Sequence, residues 1–287
     1  MPSLKIIRRR ITSTKSTQKI TRAMKLVAAA RLRRAQDGII AARPYARRLH
    51  EVITELAARA DATDHPLLER REPRRVALVV ITSDRGLCGG FNTNILRRAD
   101  AFLRDGRASY EAIDLSVVGR KGREYYRHRH VALRREFPGS TSDVAQERAR
   151  EIARAIIDEF LAQNLDAAYL VYNEFKSAVT QKVTVERLLP IEPLPLVGLA
   201  SVDFLYEPGK RELLDHLLPL HVEVQLYRAV LESIASELGS RMTAMESATN
   251  NASDMIQRLT LQFNRARQAT ITKELMEIIG GAEALKG

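Results

Sequence analysis

The stretch MTAMESATNNASDMIQRLTLQFNRARQAT, Met242 to Thr270, holds no proline and no glycine. Within it Met242, Met245, Thr249, Ala252, Ile256, Leu259, Phe263, Ala266 and Thr270 recur at spacings that alternate three and four. That is the seam of a left-handed coiled coil. Leu231, Ile234 and Leu238 extend it upstream through one four-residue stutter. A helix from Leu220 to Leu285 would run roughly 100 Å at ~1.5 Å per residue. A compact chain of 287 residues has a radius of gyration of about 19 Å. Such a helix does not fit inside it, so it must protrude and pair with a second long helix.

The N-terminal segment supplies that partner. From Leu4 to Ala60 its only internal proline is Pro44 and its only glycine is Gly38. Met24 to Ala35 is made of strong helix formers. Thr12 to Thr17 is a poor helix former, because its hydroxyls compete for backbone partners. Pro44 is expected to end or kink the helix near Arg43. Both helices are terminal and the chain returns between them, so the pair is predicted to be antiparallel.

Between them the period changes. Val76 to Ile81, Ile113 to Val118 and Ala167 to Tyr172 read as buried strands, and Val179 to Val185 alternates like a half-exposed edge strand. Helices are predicted after each of the first two strands. A further helix is capped at Ser142-Asp143 and carries Val144, Ile152, Ile156 and Phe160. Phe137-Pro138-Gly139 reads as punctuation. The fold class is therefore α/β: a Rossmann-like, mostly parallel sheet inserted between two long terminal helices that form an antiparallel coiled coil. The expected divisions are 1–60, 74–209 and 210–287.

Composition narrows the function. A hydrophobic fraction of 45% excludes a disordered chain. A single cysteine, Cys88, excludes a disulfide scaffold and a multi-cysteine zinc site. No apolar run reaches the ~18–20 residues that span a bilayer. The net charge of +11 invites a nucleic-acid reading. The excess is local: residues 1–60 carry a net +12 and residues 210–287 a net −1. Aromatic stacking residues are absent before Tyr45 and tryptophan is absent throughout, which weakens that reading.

The loop Gly86-Leu87-Cys88-Gly89-Gly90 follows a strand and precedes a helix, a position that suits phosphate. Its glycines fit neither the P-loop nor the dinucleotide fingerprint, so it reads as a structural turn. Cys88 with His128 or His130 would make a nucleophile and base, but a buried thiol is the commoner outcome. The six histidines form no metal-ligand motif. No catalytic constellation emerges. The coiled-coil seam is weak, with Thr249, Ala252, Ala266 and Thr270 in it. Met255, Leu261, Ile271 and Ile278 lie off it. Much of the rod is therefore expected to be covered by other chains.

Several stretches together carry a family resemblance. Ile20 to Ala30 (ITRAMKLVAAA) and Asn264 to Ala282 (NRARQATITKELMEIIGGA) resemble the two ends of the gamma subunit of F-type ATP synthases. Ser83 to Asn92 (SDRGLCGGFN), Arg241 to Met245 and Leu205 to Pro208 are similar to further motifs of that family. The resemblance spans essentially the whole chain.

It implies a rotor shaft without a catalytic site or cofactor of its own. The two helices would turn inside a hexamer of alternating alpha and beta subunits. The α/β domain would lie against the epsilon subunit and the ring of c subunits. Rotation would couple ion flow to ATP synthesis or hydrolysis at the beta subunits. By the resemblance, Met24, Lys25, Arg265, Arg267 and Gln268 would face the beta subunits. Tyr206 and Glu207 would lie in the foot at the c ring. Asp84, Arg85, Gly86, Cys88 and Gly89 would form a structural loop.

Membrane contact would come only through the complex, at the cytoplasmic face of a bacterial inner membrane. No transit peptide precedes Leu4, which favours a bacterial source. Two departures stand out. Ile6 replaces an expected acidic residue, and the cysteine pair of thiol-regulated chloroplast members is missing. The competing reading is a basic coiled-coil protein that binds nucleic acid.

Overall fold

A computed structural model describes residues 4–58, 65–191 and 209–284. The chain divides into two units, one of residues 28–241 and one of 1–27 with 242–287. The two long helices, α1 (Leu4–Ala58) and α5 (Lys210–Ala284), contribute to both.

The unit of 28–241 is built on a five-stranded sheet. Its strands are β1 (Arg75–Ile81), β2 (Ala112–Val118), β3 (Arg135–Phe137), β4 (Ala167–Phe175) and β5 (Gln181–Leu189). The spatial order is β3-β2-β1-β4-β5; β5 is antiparallel and the other pairings are parallel. The helices α2 (Phe91–Gly106), α3 (Arg120–Arg127) and α4 (Ala145–Leu161) connect the strands. Central β1 is buried at every position but Arg75, the burial expected of a strand covered on both faces. Leu78, Val80, Phe91, Ile95, Leu115, Val117, Tyr126 and Val171 form one apolar core. This is the predicted fold class, and the edge placement of the 179–185 stretch is correct.

Local expectations differ in four places. Pro44 does not end α1, which continues to Ala58. Leu49 and Ile53 beyond it are buried, so packing outweighs one lost backbone hydrogen bond. Pro219 likewise lies inside α5, with Leu218 and Val222 fully buried on either side. The Phe137 punctuation hides β3, whose three residues pair with Ser116 to Val118. Ser142-Asp143 does not cap α4. It forms a 3-10 turn over Ser142–Val144, and α4 starts at Ala145 without a side-chain cap.

The unit of 1–27 with 242–287 is a pair of helical segments. Thr12 to Thr17 is regular helix. Thr12, Thr14, Ser16 and Thr17 donate their hydroxyls to the carbonyls four residues back, so their donors are satisfied inside the helix and do not break it. Burial recurs on α5 at Met242, Met245, Thr249, Ala252, Ile256, Leu259, Phe263 and Ala266, the predicted seam except for its last member, Thr270, which is exposed. On α1 it recurs at Leu4, Ile7, Ile11, Thr14, Gln18, Thr21 and Lys25, again at spacings of three and four. The pairing is antiparallel: Arg8 lies over Phe263, Gln18 meets Ser253, Thr21 meets Thr249 and Lys25 meets Glu246.

Candidate functional site

The Gly-rich loop is a brace. Ser83, just past β1, accepts from and donates to Asn92 at the start of α2. Its amide donates to Asn92 Oδ1 (3.0 Å), and Asn92 Nδ2 donates to Ser83 Oγ (2.8 Å). Asp84 reaches across to α3, where its Oδ1 accepts from the Arg120 amide at 2.8 Å. The Lys121 amide donates to the Ser83 carbonyl (3.0 Å) and the Gly122 amide to Thr82 Oγ1 (2.9 Å). The free amides of the first turn of α3 are thus filled by the chain itself. Gly119, at φ 92°, is required here, because a Cβ would collide with the Thr82 carbonyl.

Cys88 is buried in this brace. Its sulfur lies 3.3 Å from Asn92 Nδ2 and 3.8 Å from the Arg85 carbonyl. Burial pushes its thiol pKa up, so it stays protonated and unreactive. His128 and His130 are exposed residues just past α3 and are not among its partners. The loop's role is structural, and the nucleophile reading falls.

Helix α5 lies across the carboxyl ends of the strands, where doubly wound sheets place ligands. Ser236 Oγ donates to the Asn173 carbonyl (3.0 Å), and Ser240 Oγ donates to Gln181 Oε1 (2.9 Å). Arg241 Nη2 donates to the carbonyls of Arg85 and Gly86, each at 3.3 Å, and to Glu237 Oε1 at 2.5 Å. The pair is nearly buried, at 12% and 16% side-chain exposure. Burial raises the Glu237 pKa in spite of the Arg241 charge beside it. Among the described residues, no group of three acidic, histidine or cysteine side chains is placed to hold a metal ion.

Sequence reasoning missed Thr82, Asn92, Gly119 and Glu237. Thr82 bonds Val118 and Gly122 far along the chain and Gly119 packs on Thr82; Asn92 lies in the quoted motif and Glu237 four residues from Arg241, but neither stretch shows what its side chain holds. Arg241 was visible as part of a motif, but not as a clamp on the Gly86 loop.

The partner-facing candidates lie in the two-helix unit. Arg265, Arg267 and Gln268 are exposed, and their side chains have no partner among the described residues. Two free guanidinium groups beside an amide suit carboxylate acceptors. Met24 is half-buried. Lys25 is also half-buried, and its ammonium lies 2.5 Å from Glu246 Oε1. Lys25 therefore serves the pairing of the helices, whatever else it touches. Tyr206 and Glu207 lie outside the described residues. Off the seam, Met255, Leu261, Met276 and Ile278 are each more than half exposed. These residues point to different sides of α5, as singly exposed apolar residues commonly do.

Comparison with known proteins identifies the family. The family model described as ATP synthase matches residues 3–285. An ATP synthase gamma chain of Anaeromyxobacter sp. (strain Fw109-5) is 56% identical over 290 aligned positions, with both chains fully covered. One from Geobacter metallireducens is 49% identical over the full length of both. The chain belongs to the ATP synthase gamma chain family.

Solved mitochondrial ATP synthase assemblies agree in fold. A chain of the Euglena gracilis mitochondrial ATP synthase (OSCP/F1/c-ring, rotational state 3) superposes with a TM-score of 0.66 at 22% identity. The match covers 98% of this chain and 94% of that one. A chain of the Tetrahymena thermophila central stalk and c ring gives 0.59 at 26% identity, covering 80% and 99%. These gamma-chain relatives lend no support to the nucleic-acid reading of the basic charge. Among the described residues no helix is long and apolar enough to cross a membrane.

Proposed function

We propose that this chain is the central rotor shaft of an F-type ATP synthase, a non-catalytic subunit. It turns inside the alpha-beta hexamer and couples ion flow through the c ring to the state of the beta sites. The observation that carries the reading is full-length similarity to ATP synthase gamma chains at up to 56% identity. The exposed apolar and cationic surface of the two-helix unit agrees with it. Arg265, Arg267 and Gln268 serve as contacts to beta-subunit carboxylates, with Met24 and Lys25 lower on the same rod. Tyr206 and Glu207 belong to the foot that meets the epsilon subunit and the c ring. The divisions 1–60, 74–209 and 210–287 then correspond to first shaft helix, foot domain and second shaft helix. The site of action is the cytoplasmic face of a bacterial inner membrane.

Torque requires contacts that favour one beta state over another, and uniformly tight binding would shift nothing. Side chains free at the rod surface, as Arg265 and Arg267 are, suit contacts made and broken once per turn. Purification of the native complex tests the reading. The chain is expected to co-purify with alpha, beta, epsilon and c subunits. Removal of residues 264–287 is expected to abolish or strongly reduce ATP-driven ion pumping. Full coupled activity in that truncation would contradict it.

A further inference from the structure

Helix α5 does not fill the space at the carboxyl ends of the strands. A cavity of about 510 Å³ remains there, bounded by α1, the ends of β1 and β2, residues 140–143 and α5. All of its lining residues belong to the unit of 28–241. Gly139 holds residues 140–143 against the Gly86 loop, since a Cβ on it would lie 2.4 Å from the Asp84 carboxylate. The volume is that of a small-molecule site, and such sites favour this end of an α/β sheet.

The lining has two characters. Ile81, Phe91, Ile234 and Leu238 give it an apolar side. Arg31 and Arg34 of α1, Arg85 of the Gly86 loop and Arg241 of α5 give it a cationic one. Arg31, Arg34 and Arg85 are exposed, and their guanidinium groups make no hydrogen bond or ion pair among the described residues. Arg241 is fixed in place. Its side chain is 12% exposed and is held through Nη2 by Glu237 and two carbonyls, while Nε and Nη1 are unbonded among the described residues. Ser233 is 3% exposed, lines the same cavity and has no hydrogen-bond partner for its hydroxyl among the described residues. Four guanidinium groups thus stand against three carboxylates. Of those three, Glu237 is bonded to Arg241 and Asp84 to the Arg120 amide, which leaves only Asp143 unpartnered among the described residues.

We infer that this cavity binds a small amphipathic anion. Its oxyanion head sits on Arg31, Arg34 and Arg241, and its apolar body lies against Ile234 and Leu238. Guanidinium forks match the oxygens of such a head, and a fork already held in place loses little freedom on binding. The Ser233 hydroxyl supplies one more donor. The bound anion joins α1, α5 and the Gly86 loop, three parts of the unit far apart in sequence. The inference stands on this chain alone and goes beyond the rotor reading, which needs no ligand here.

Titration calorimetry at low salt tests it, on the full-length chain with hexyl phosphate as the probe and inorganic phosphate and hexanol as its two halves. Hexyl phosphate is expected to bind at least tenfold tighter than either half. Lengthening the probe from butyl to hexyl phosphate is expected to tighten binding about fourfold, as partial burial of two methylenes would. Arg31→Gln with Arg34→Gln is expected to weaken binding about tenfold or more. A second measurement leaves the arginines intact, so it decides the matter even if that variant folds poorly. Ser142→Cys places a thiol in the lining, and Cys88 is buried. Hexyl phosphate is expected to slow alkylation of that thiol at a concentration where inorganic phosphate does not. No binding at millimolar hexyl phosphate, equal binding of either half, full affinity in a folded Arg31→Gln with Arg34→Gln variant, or unslowed alkylation overturns the proposal.

Discussion

His65 shows how one side chain can tie stability to pH. It is buried at the start of a 3-10 turn over Pro66–Leu68, where its Nδ1 accepts from the Leu67 amide at 3.0 Å. Its Nε2 faces Asp215 Oδ1 at 3.3 Å. A proton on Nδ1 would set donor against donor. Burial lowers the folded pKa below 6.5, against a raising influence from Asp215 and a lowering one from Arg211. The unfolded chain therefore takes up the proton first. The contribution of His65 is complete above pH 6.5 and is lost as pH falls through 6.5 towards the folded value. His65→Asn keeps the capping acceptor without the titration. Urea unfolding between pH 7.5 and 5 is expected to show a shallower loss of stability in His65→Asn. An unchanged slope would assign the loss to other groups.

At the scale of elements, the clamp between α5 and the Gly86 loop couples two parts of the larger unit that are far apart in sequence. Arg241→Ala leaves Glu237 buried without its cation and the carbonyls of Arg85 and Gly86 without a donor. Removing one partner of a nearly buried pair is expected to destabilise by about 3 kcal/mol. Amide exchange in Ser83 to Asn92 should quicken alongside it, and normal protection there would argue against the clamp. Much at this scale was legible in the sequence. The α5 seam was plain because Met245, Ile256, Leu259 and Phe263 keep the heptad in apolar residues. The α1 seam was not, because Thr14, Gln18, Thr21 and Lys25 occupy its inner positions and read as surface. The short β3 was hidden for the opposite reason: Arg135 and Glu136 are exposed, and only pairing with β2 makes them a strand. Pro44 misled because a propensity rule was applied where burial of Leu49 and Ile53 decides. The loop's glycines signalled a turn, but its long-range bonds to α3 and Arg241 leave no local trace.

At the scale of the molecule, the net charge of +11 has a specific address. Its excess lies in residues 1–60, on a helix whose inner face is spent on pairing and whose exposed face carries Arg8, Arg9, Arg10, Lys15, Lys19 and Arg22. Such a face attracts acidic partners at long range and loses that attraction with salt. The family motifs, more than composition, select a protein partner over nucleic acid. Rotation tests the central claim most directly. Val179, 77% exposed beside the edge strand, replaced by cysteine gives a single accessible thiol, because Cys88 is buried. With a bead on that thiol and the alpha-beta hexamer fixed to a surface, ATP is expected to drive unidirectional turning with a repeating pause at each beta subunit. A bead that stays fixed, or diffuses without direction, on complexes that hydrolyse ATP would contradict the rotor account.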